Sequence, residues 1–224
     1  MKIATYNIHH CADGIDNVAS VIREMNADIA GLQEADCCNG RSNGLDQPAL
    51  LAEKSGMKYY RFARSIDFRG GGYGNVILSR YPIISYETIP LESLKYEKRS
   101  VGHAVIDVNG TLIDHFNTHL SYEAKEPRDI QFKAIAQMLK KAGMYYILTG
   151  DFNTDDMREF EVLCANIAIN REDRRFISFP GYHSAIDNIL LSGGFSEVSA
   201  EMITRSYSDH YAVSAVVEIV KKQK

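Results

Sequence analysis

Val101-Gly-His-Ala-Val-Ile-Asp-Val108, then Asn109-Gly110, then Thr111-Leu-Ile-Asp-His-Phe-Asn-Thr118: two β-prone runs flank a single Asn-Gly pair. Asn-Gly suits a type I′ turn, whose two central residues both need positive φ, so the stretch predicts an antiparallel hairpin. One firm hairpin in the middle of the chain disfavours a purely parallel, doubly wound sheet.

Upstream, Ile3 to Ile8 alternates as a strand. After the Asp13-Gly14 turn, Val18, Val21, Ile22 and Met25 recur at helical spacing, with Asp16 as the expected cap. Asp28 to Glu34 is a short apolar run with a polar end. Pro48 to Lys54 reads as a helix stopped by Gly56. Tyr59 to Ala63, Asn75 to Ser79 and Ile83 to Thr88 read as strands, the last two separated at Pro82.

Downstream, Pro127 to Ala142 carries Ile130, Ala134, Ile135, Met138 and Leu139 on one helical face, with Gly143 past its end. Tyr145 to Thr149 predicts a strand, and Asp156 to Cys164 a helix. Ile186 to Leu191, Val198 to Thr204 and Tyr211 to Val220 complete the strands. Strands outnumber helices, so the expected fold is α/β: two mixed sheets packed face to face with helices outside. No repeat, linker or low-complexity segment interrupts residues 1–224, which read as a single domain.

Of the 224 residues, 45% are hydrophobic and 24% charged, which excludes a disordered chain, a collagen-like fibre and a disulfide-framed miniprotein. No run approaches the ~20 apolar residues of a membrane-spanning helix. A net charge of −4 argues against a protein that grips long nucleic acid by its phosphates, although it leaves a local basic cleft open. The four cysteines, Cys11, Cys37, Cys38 and Cys164, include no CxxC spacing, and neighbours such as Cys37 and Cys38 bridge each other poorly. Reduced thiols, and strand-forming residues directly after Met1 in place of an export signal, predict a cytoplasmic protein.

Function is written at the strand ends. Strand after strand stops in carboxylates, amides or imidazoles: Asn7 and His9, Gln33-Glu34, Asn117-Thr-His119, Asp151-Phe-Asn153, and Asp209-His210 before the last strand. Asp187 lies inside the apolar Ala185-Ile-Asp-Asn-Ile-Leu190, where a carboxylate needs a partner. Any one of these has an ordinary reading as a turn, cap or core hydrogen bond; the joint pattern points to a site on a rigid scaffold. Asn, Asp and Glu oxygens are hard donors that suit Mg²⁺, with Mn²⁺ as substitute, better than zinc. The cysteines lie outside every motif, which further disfavours structural zinc. An imidazole kept charged by a buried Asp, and a carboxylate that directs water, are the parts of metal-assisted phosphoryl hydrolysis.

Seven segments carry a resemblance to the endonuclease/exonuclease/phosphatase superfamily. They are Thr5-Tyr-Asn-Ile-His9, Leu32-Gln-Glu34, Tyr73-Gly-Asn-Val-Ile-Leu-Ser-Arg80, Asn117-Thr-His-Leu120, Gly150-Asp-Phe-Asn153, Ile186-Asp-Asn-Ile-Leu190 and Ser208-Asp-His210, in the family's order. The resemblance implies a four-layer α/β/β/α sandwich. It implies Glu34 as principal Mg²⁺ ligand, with Asn7 beside it and Asp209 near the metal. Asp151 resembles the residue that directs the attacking water, and Asn153 one that holds the nucleophile or a phosphate oxygen. His210 resembles the imidazole beside the scissile phosphate, with Asp187 as its partner, and His119 resembles a second phosphate-facing histidine. His9 departs from the family's Asp and is placed with substrate contacts, as are Asn117 and Asn75, the latter in the glycine-rich Gly70 to Asn75 stretch where backbone amides could meet an anion. Asn188 has no reading from the pattern.

The superfamily spans several phosphate esters. Without Trp, a basic surplus or a long insertion, the chain is expected to hydrolyse a small or lipid-derived phosphate ester; a nuclease acting on DNA or RNA is the alternative, and a non-catalytic binding module the third reading. Basic clusters at Arg61/Arg64/Arg69, Lys95/Lys98/Arg99 and Arg171/Arg174/Arg175 each precede a motif strand. Arg99 is the member expected to touch substrate.

Overall fold

The computed structural model describes residues 1–220; residues 221–224, inside the expected domain, lie outside the described part. Its strands are β1 (Lys2–Asn7), β2 (Ile29–Cys37), β3 (Tyr59–Phe68), β4 (Gly71–Ser79), β5 (Ile83–Leu91), β6 (Arg99–Val108), β7 (Thr111–His119), β8 (Tyr146–Asp151), β9 (Asn166–Ile167), β10 (Asp187–Leu191), β11 (Phe195–Ile203) and β12 (Ala212–Ile219). The helices are α1 (Ile15–Met25), α2 (Gln47–Ser55), α3 (Lys125–Lys141) and the single turn α4 (Met157–Phe160). They build two six-stranded sheets, ordered β11-β12-β1-β2-β4-β3 and β5-β6-β7-β8-β10-β9. Each sheet is antiparallel except for one parallel pair, β1/β2 in the first and β7/β8 in the second.

Three hydrophobic layers hold four structural layers together. Neighbouring residues of one strand serve different layers, as the period-2 geometry of a strand requires. In β1, Ile3 faces the other sheet while Ala4 and Tyr6 meet α1. In β8, Ile147 faces the other sheet while Leu148 packs with Phe132 and Ile135 of α3. Central strands covered on both faces therefore carry apolar residues at consecutive positions, as at Ile3-Ala4 and Ile147-Leu148. This is the expected sandwich, and the Asn109-Gly110 turn has φ 54° and 87°, as the hairpin reading required.

Local signals differ from the expectation in four places. Gly14, not Asp16, precedes α1; Asp16 lies inside the first turn and pairs with Lys54 at 2.7 Å. The helix expected over 156–164 is one α-turn and one 3₁₀ turn, capped by Asp156. Strand β9 was invisible because two residues show no period. Most consequentially, β2 runs on past Glu34, through a bulge between Leu32 and Ala35 where Glu34 has φ 63°.

Candidate active site

Three strand ends of the second sheet place their polar residues in one row. Asp151 of β8 is in register with His119 of β7 on one side and Asp187 of β10 on the other. Asn7 at the end of β1, Glu34 on the β2 bulge and His210 before β12 come from the first sheet. A bulge re-aims one side chain of a strand. Here Gln33 turns inward to donate to Asn117 Oδ1 at 2.7 Å, while Glu34 turns to the pocket.

Asp151 is the hub. Its Oδ2 accepts the Asn7 amide at 3.0 Å and has both His119 Nε2 and His210 Nε2 at 3.6 Å. Its Oδ1 accepts the backbone N–H of Asn153, whose side-chain amide is anchored on the Leu120 carbonyl. Burial pushes the Asp151 carboxyl well above the usual carboxylate range, and the Asp187 charge adds to that; His210 and the Asn7 hydrogen bond act in the other direction.

The two histidines are in opposite states. His210 Nδ1 is 2.8 Å from Asp187 Oδ2. Burial alone pulls its imidazole down, but the charges of Asp187 and Asp151 outweigh that and carry it up to about 10. His119 is also buried, and there burial and the neighbouring Arg99 cation both hold the imidazole well below its usual value. Arg99 Nη1 lies 3.2 Å from His119 Nδ1. A guanidinium only donates, so His119 Nδ1 accepts and its proton sits on Nε2. One histidine is a cation; the other is a neutral donor with a fixed tautomer.

The surrounding pocket has a volume of about 450 Å³ and is lined by Glu34, Glu97, Asp151 and Asp209, by Arg99, His119, His210 and Asn153, and by Tyr73, Tyr122, Phe179 and Tyr182. His9 and Asp209 stand together at its rim, 3.8 Å apart and both partly exposed. His9, His10 and Cys11 have φ of 43°, 46° and 56°, a run of left-handed residues held beside the site.

The donor set fits a hard divalent cation. Glu34 and Asp151 both bring a carboxylate oxygen to 3.0 Å from the same Asn7 amide nitrogen, and only that neutral donor separates them. Asn7 Oδ1 accepts the His9 N–H at 3.1 Å, which leaves its second lone pair for an ion. Asp151, Asp187 and His210 also have atoms within 4.8 Å of one another. There, Asp187 Oδ2 is already engaged with His210 Nδ1 at 2.8 Å. Glu34 and Asp209 line the same pocket, and Glu34 accepts from the Asn7 amide at 3.0 Å.

Sequence expectations for two amides need correction. Asn117 is fully buried and both ends of its amide are used: it donates to the Leu32 and Val76 carbonyls and accepts from Gln33 and Thr149. It staples the two sheets and does not reach substrate. Asn75 donates to the Ser100 carbonyl from a buried position, and Tyr73, two residues earlier, is the member of that strand that lines the pocket. Of the glycines before it, Gly70 supplies a turn at φ 85°, and Gly71 serves packing, since a Cβ there would collide with the Cys37 and Cys38 carbonyls. Asn188 and Asn170 bond to each other, which closes a loop onto β10. Of the basic clusters only Arg99 lines the pocket; Arg64, Arg171, Arg174 and Arg175 are held by Asp67, Glu197 and Asp155. Phe179, stacked on the His210 ring at 4.5 Å, had no signal beyond a Phe before Pro-Gly.

Phosphoryl transfer with metal assistance is the chemistry that such a row of groups serves. The chain belongs to the Endonuclease/Exonuclease/phosphatase family, which it matches over residues 4–210, and so to a class of metal-dependent phosphoesterases. An endonuclease/exonuclease/phosphatase from Beutenbergia cavernae superposes with TM-score 0.84 at 22% identity, over 98% of this chain and 71% of that one. The mannosyl-6-phosphatase Bt3783 of Bacteroides thetaiotaomicron superposes with TM-score 0.74 at 17% identity, over 98% and 100%. In sequence, Protein cwh43 of Schizosaccharomyces pombe is 27% identical over 158 residues, which are 66% of this chain and 16% of that much longer protein.

Proposed function

We propose that this protein hydrolyses a small or lipid-derived phosphate ester with Mg²⁺ as cofactor. The observation that carries the reading is the shape and lining of the pocket: about 450 Å³ with four aromatic walls and one guanidinium, rather than a basic groove. A duplex is gripped by many phosphate contacts from Lys and Arg. Here Arg64, Arg171, Arg174 and Arg175 are already paired with carboxylates, and Arg99 itself pairs with Glu97 at 3.0 Å. The phosphatase name of one structural neighbour points the same way.

In this reading, Glu34, Asn7 and Asp209 hold the ion, and bound Mg²⁺ supplies charge neutralisation at the phosphoryl group. Asp151 orients the attacking water and takes its proton, a role that suits a carboxyl raised by burial. Asn153 fixes the water or a phosphate oxygen. His210, kept cationic by Asp187, donates to the phosphoryl oxygen on which charge builds; His119 donates its Nε2 proton to another. Arg99 lines the pocket between Glu97 and His119, where its guanidinium can meet a substrate oxygen.

Hydrolysis of bis-(p-nitrophenyl) phosphate and of sugar phosphates, compared with plasmid nicking at equal enzyme concentration, tests the reading. The expected result is small-ester turnover with Mg²⁺ or Mn²⁺ that EDTA abolishes. Rapid plasmid cleavage without small-ester turnover would make the protein a nuclease; no turnover of any ester would make it a binding module.

A further inference from the structure

Successive side chains of a strand point to opposite faces, so Cys37 and Cys38 at the end of β2 would normally diverge. They converge here because Cys38 has φ 54°, which turns its side chain back, and the two Sγ atoms lie 4.0 Å apart. Asp46 is brought to them by backbone pairing. Cys37 and Asp46 form an antiparallel bridge, and the Cys38 N–H donates to the Leu45 carbonyl at 2.9 Å. One ligand atom from each of Cys37, Cys38 and Asp46 lies within 4.8 Å of the others.

The frame is stiff. Gly71 packs against the Cys37 and Cys38 carbonyls where no Cβ fits, and Asp46 Oδ1 accepts from Ala49 N to cap α2. Zn–S bonds of about 2.3 Å at a tetrahedral angle place two sulfurs about 3.8 Å apart, close to the spacing found. Cys38 is exposed and the other two are half-buried, so an ion has access and a fourth position stays open.

We propose that Cys37, Cys38 and Asp46 form a binding site for a borderline-soft divalent cation of the zinc type, distinct from the oxygen-lined pocket. Binding forms two metal–sulfur bonds and one metal–oxygen bond, and releases the two thiol protons to solvent. Ligand softness separates the two centres: thiolates select zinc-like ions, and the Glu34 side selects Mg²⁺. The sequence disfavoured zinc because the cysteines lack motif spacing, and only the fold supplies the third ligand.

The test is a Cd²⁺ titration of the intact, reduced chain in excess Mg²⁺, read by the ultraviolet thiolate-to-cadmium charge-transfer band. One equivalent should bind with that band. Cys37→Ser and Cys38→Ser should each abolish it, and Cys164→Ser should preserve it. Asp46→Asn keeps a capping oxygen, so the fold is retained; it should weaken Cd²⁺ binding by about tenfold or more, since losing a direct ligand costs at least as much as losing a group that orients one. Circular dichroism confirms folding of each variant. No band in the native chain, a band that survives Cys38→Ser, or unchanged affinity in Asp46→Asn would overturn the proposal. The readout is independent of phosphoesterase turnover.

Discussion

His210 and His119 flank the same carboxylate oxygen at the same 3.6 Å, yet they are built to do different things. Asp187 stands behind His210 and makes it a cation; Arg99 stands behind His119 and keeps it neutral. Burial is nearly equal at the two positions, so it is the charge behind each ring that decides its state. In the proposed reaction, a phosphoryl group placed between them would meet one charged and one neutral donor, and Asp151 would direct the water.

The largest expected effect comes from breaking the charged side. His210→Ala and Asp151→Asn should each lower turnover by about 10²–10³ with folding intact, the usual cost of removing one preorganised donor. Because His210, Asp187 and Asp151 act as a unit, His210→Ala combined with Asp187→Asn should cost little more than His210→Ala alone. Steady-state kinetics of the single and double variants check both statements. Glu34→Gln should act mainly on the ion: the Mg²⁺ concentration for half-maximal rate should rise, and excess Mg²⁺ should restore part of the activity.

A smaller effect sharpens the neutral side. Arg99→Met removes the donor that fixes the His119 tautomer. Turnover should drop by about tenfold, the worth of one hydrogen bond. The long-range ¹H–¹⁵N spectrum of His119 should change from a single Nε2–H tautomer to a mixture.

The smallest effects are in stability against pH, measured by urea unfolding in EDTA, and they have opposite signs. The folded value of His210 is raised to about 10, so its contribution is complete below an unfolded value of about 6.5 and disappears as pH climbs through about 10. His119 is lowered in the fold, so native stability falls as pH drops below about 6.5, where the unfolded ring takes up a proton that the folded ring refuses. His210→Gln should flatten the alkaline decline, and His119→Gln the acid one.

Much of this site could be read from the chain because apolar runs that stop in carboxylates, amides or imidazoles announce themselves. Glu34, His119, Asp151, Asp187 and His210 are all of that kind, and the fold gathers them. Orientation was not readable. Asn117 and His119 are two residues apart and share a face of their strand, but Asn117 lies one step deeper between the sheets, where Gln33 and Thr149 consume it, and only the strand end reaches the pocket. The β2 bulge was hidden as well, since an extra residue in a strand leaves no periodic mark until its partner strand is seen. Phe179 reaches the His210 ring from a loop that has no sequence pattern, and Asp46 reaches Cys37 only through cross-chain pairing.

The assignment of roles depends on where the ion sits. A crystal of the protein grown with Mn²⁺ and inorganic phosphate, read by anomalous scattering, decides it. The account predicts the manganese on Glu34, the phosphate between His119 and His210, and the Asp187–His210 hydrogen bond intact. Manganese held by Asp187 with His210 displaced from it would contradict the account.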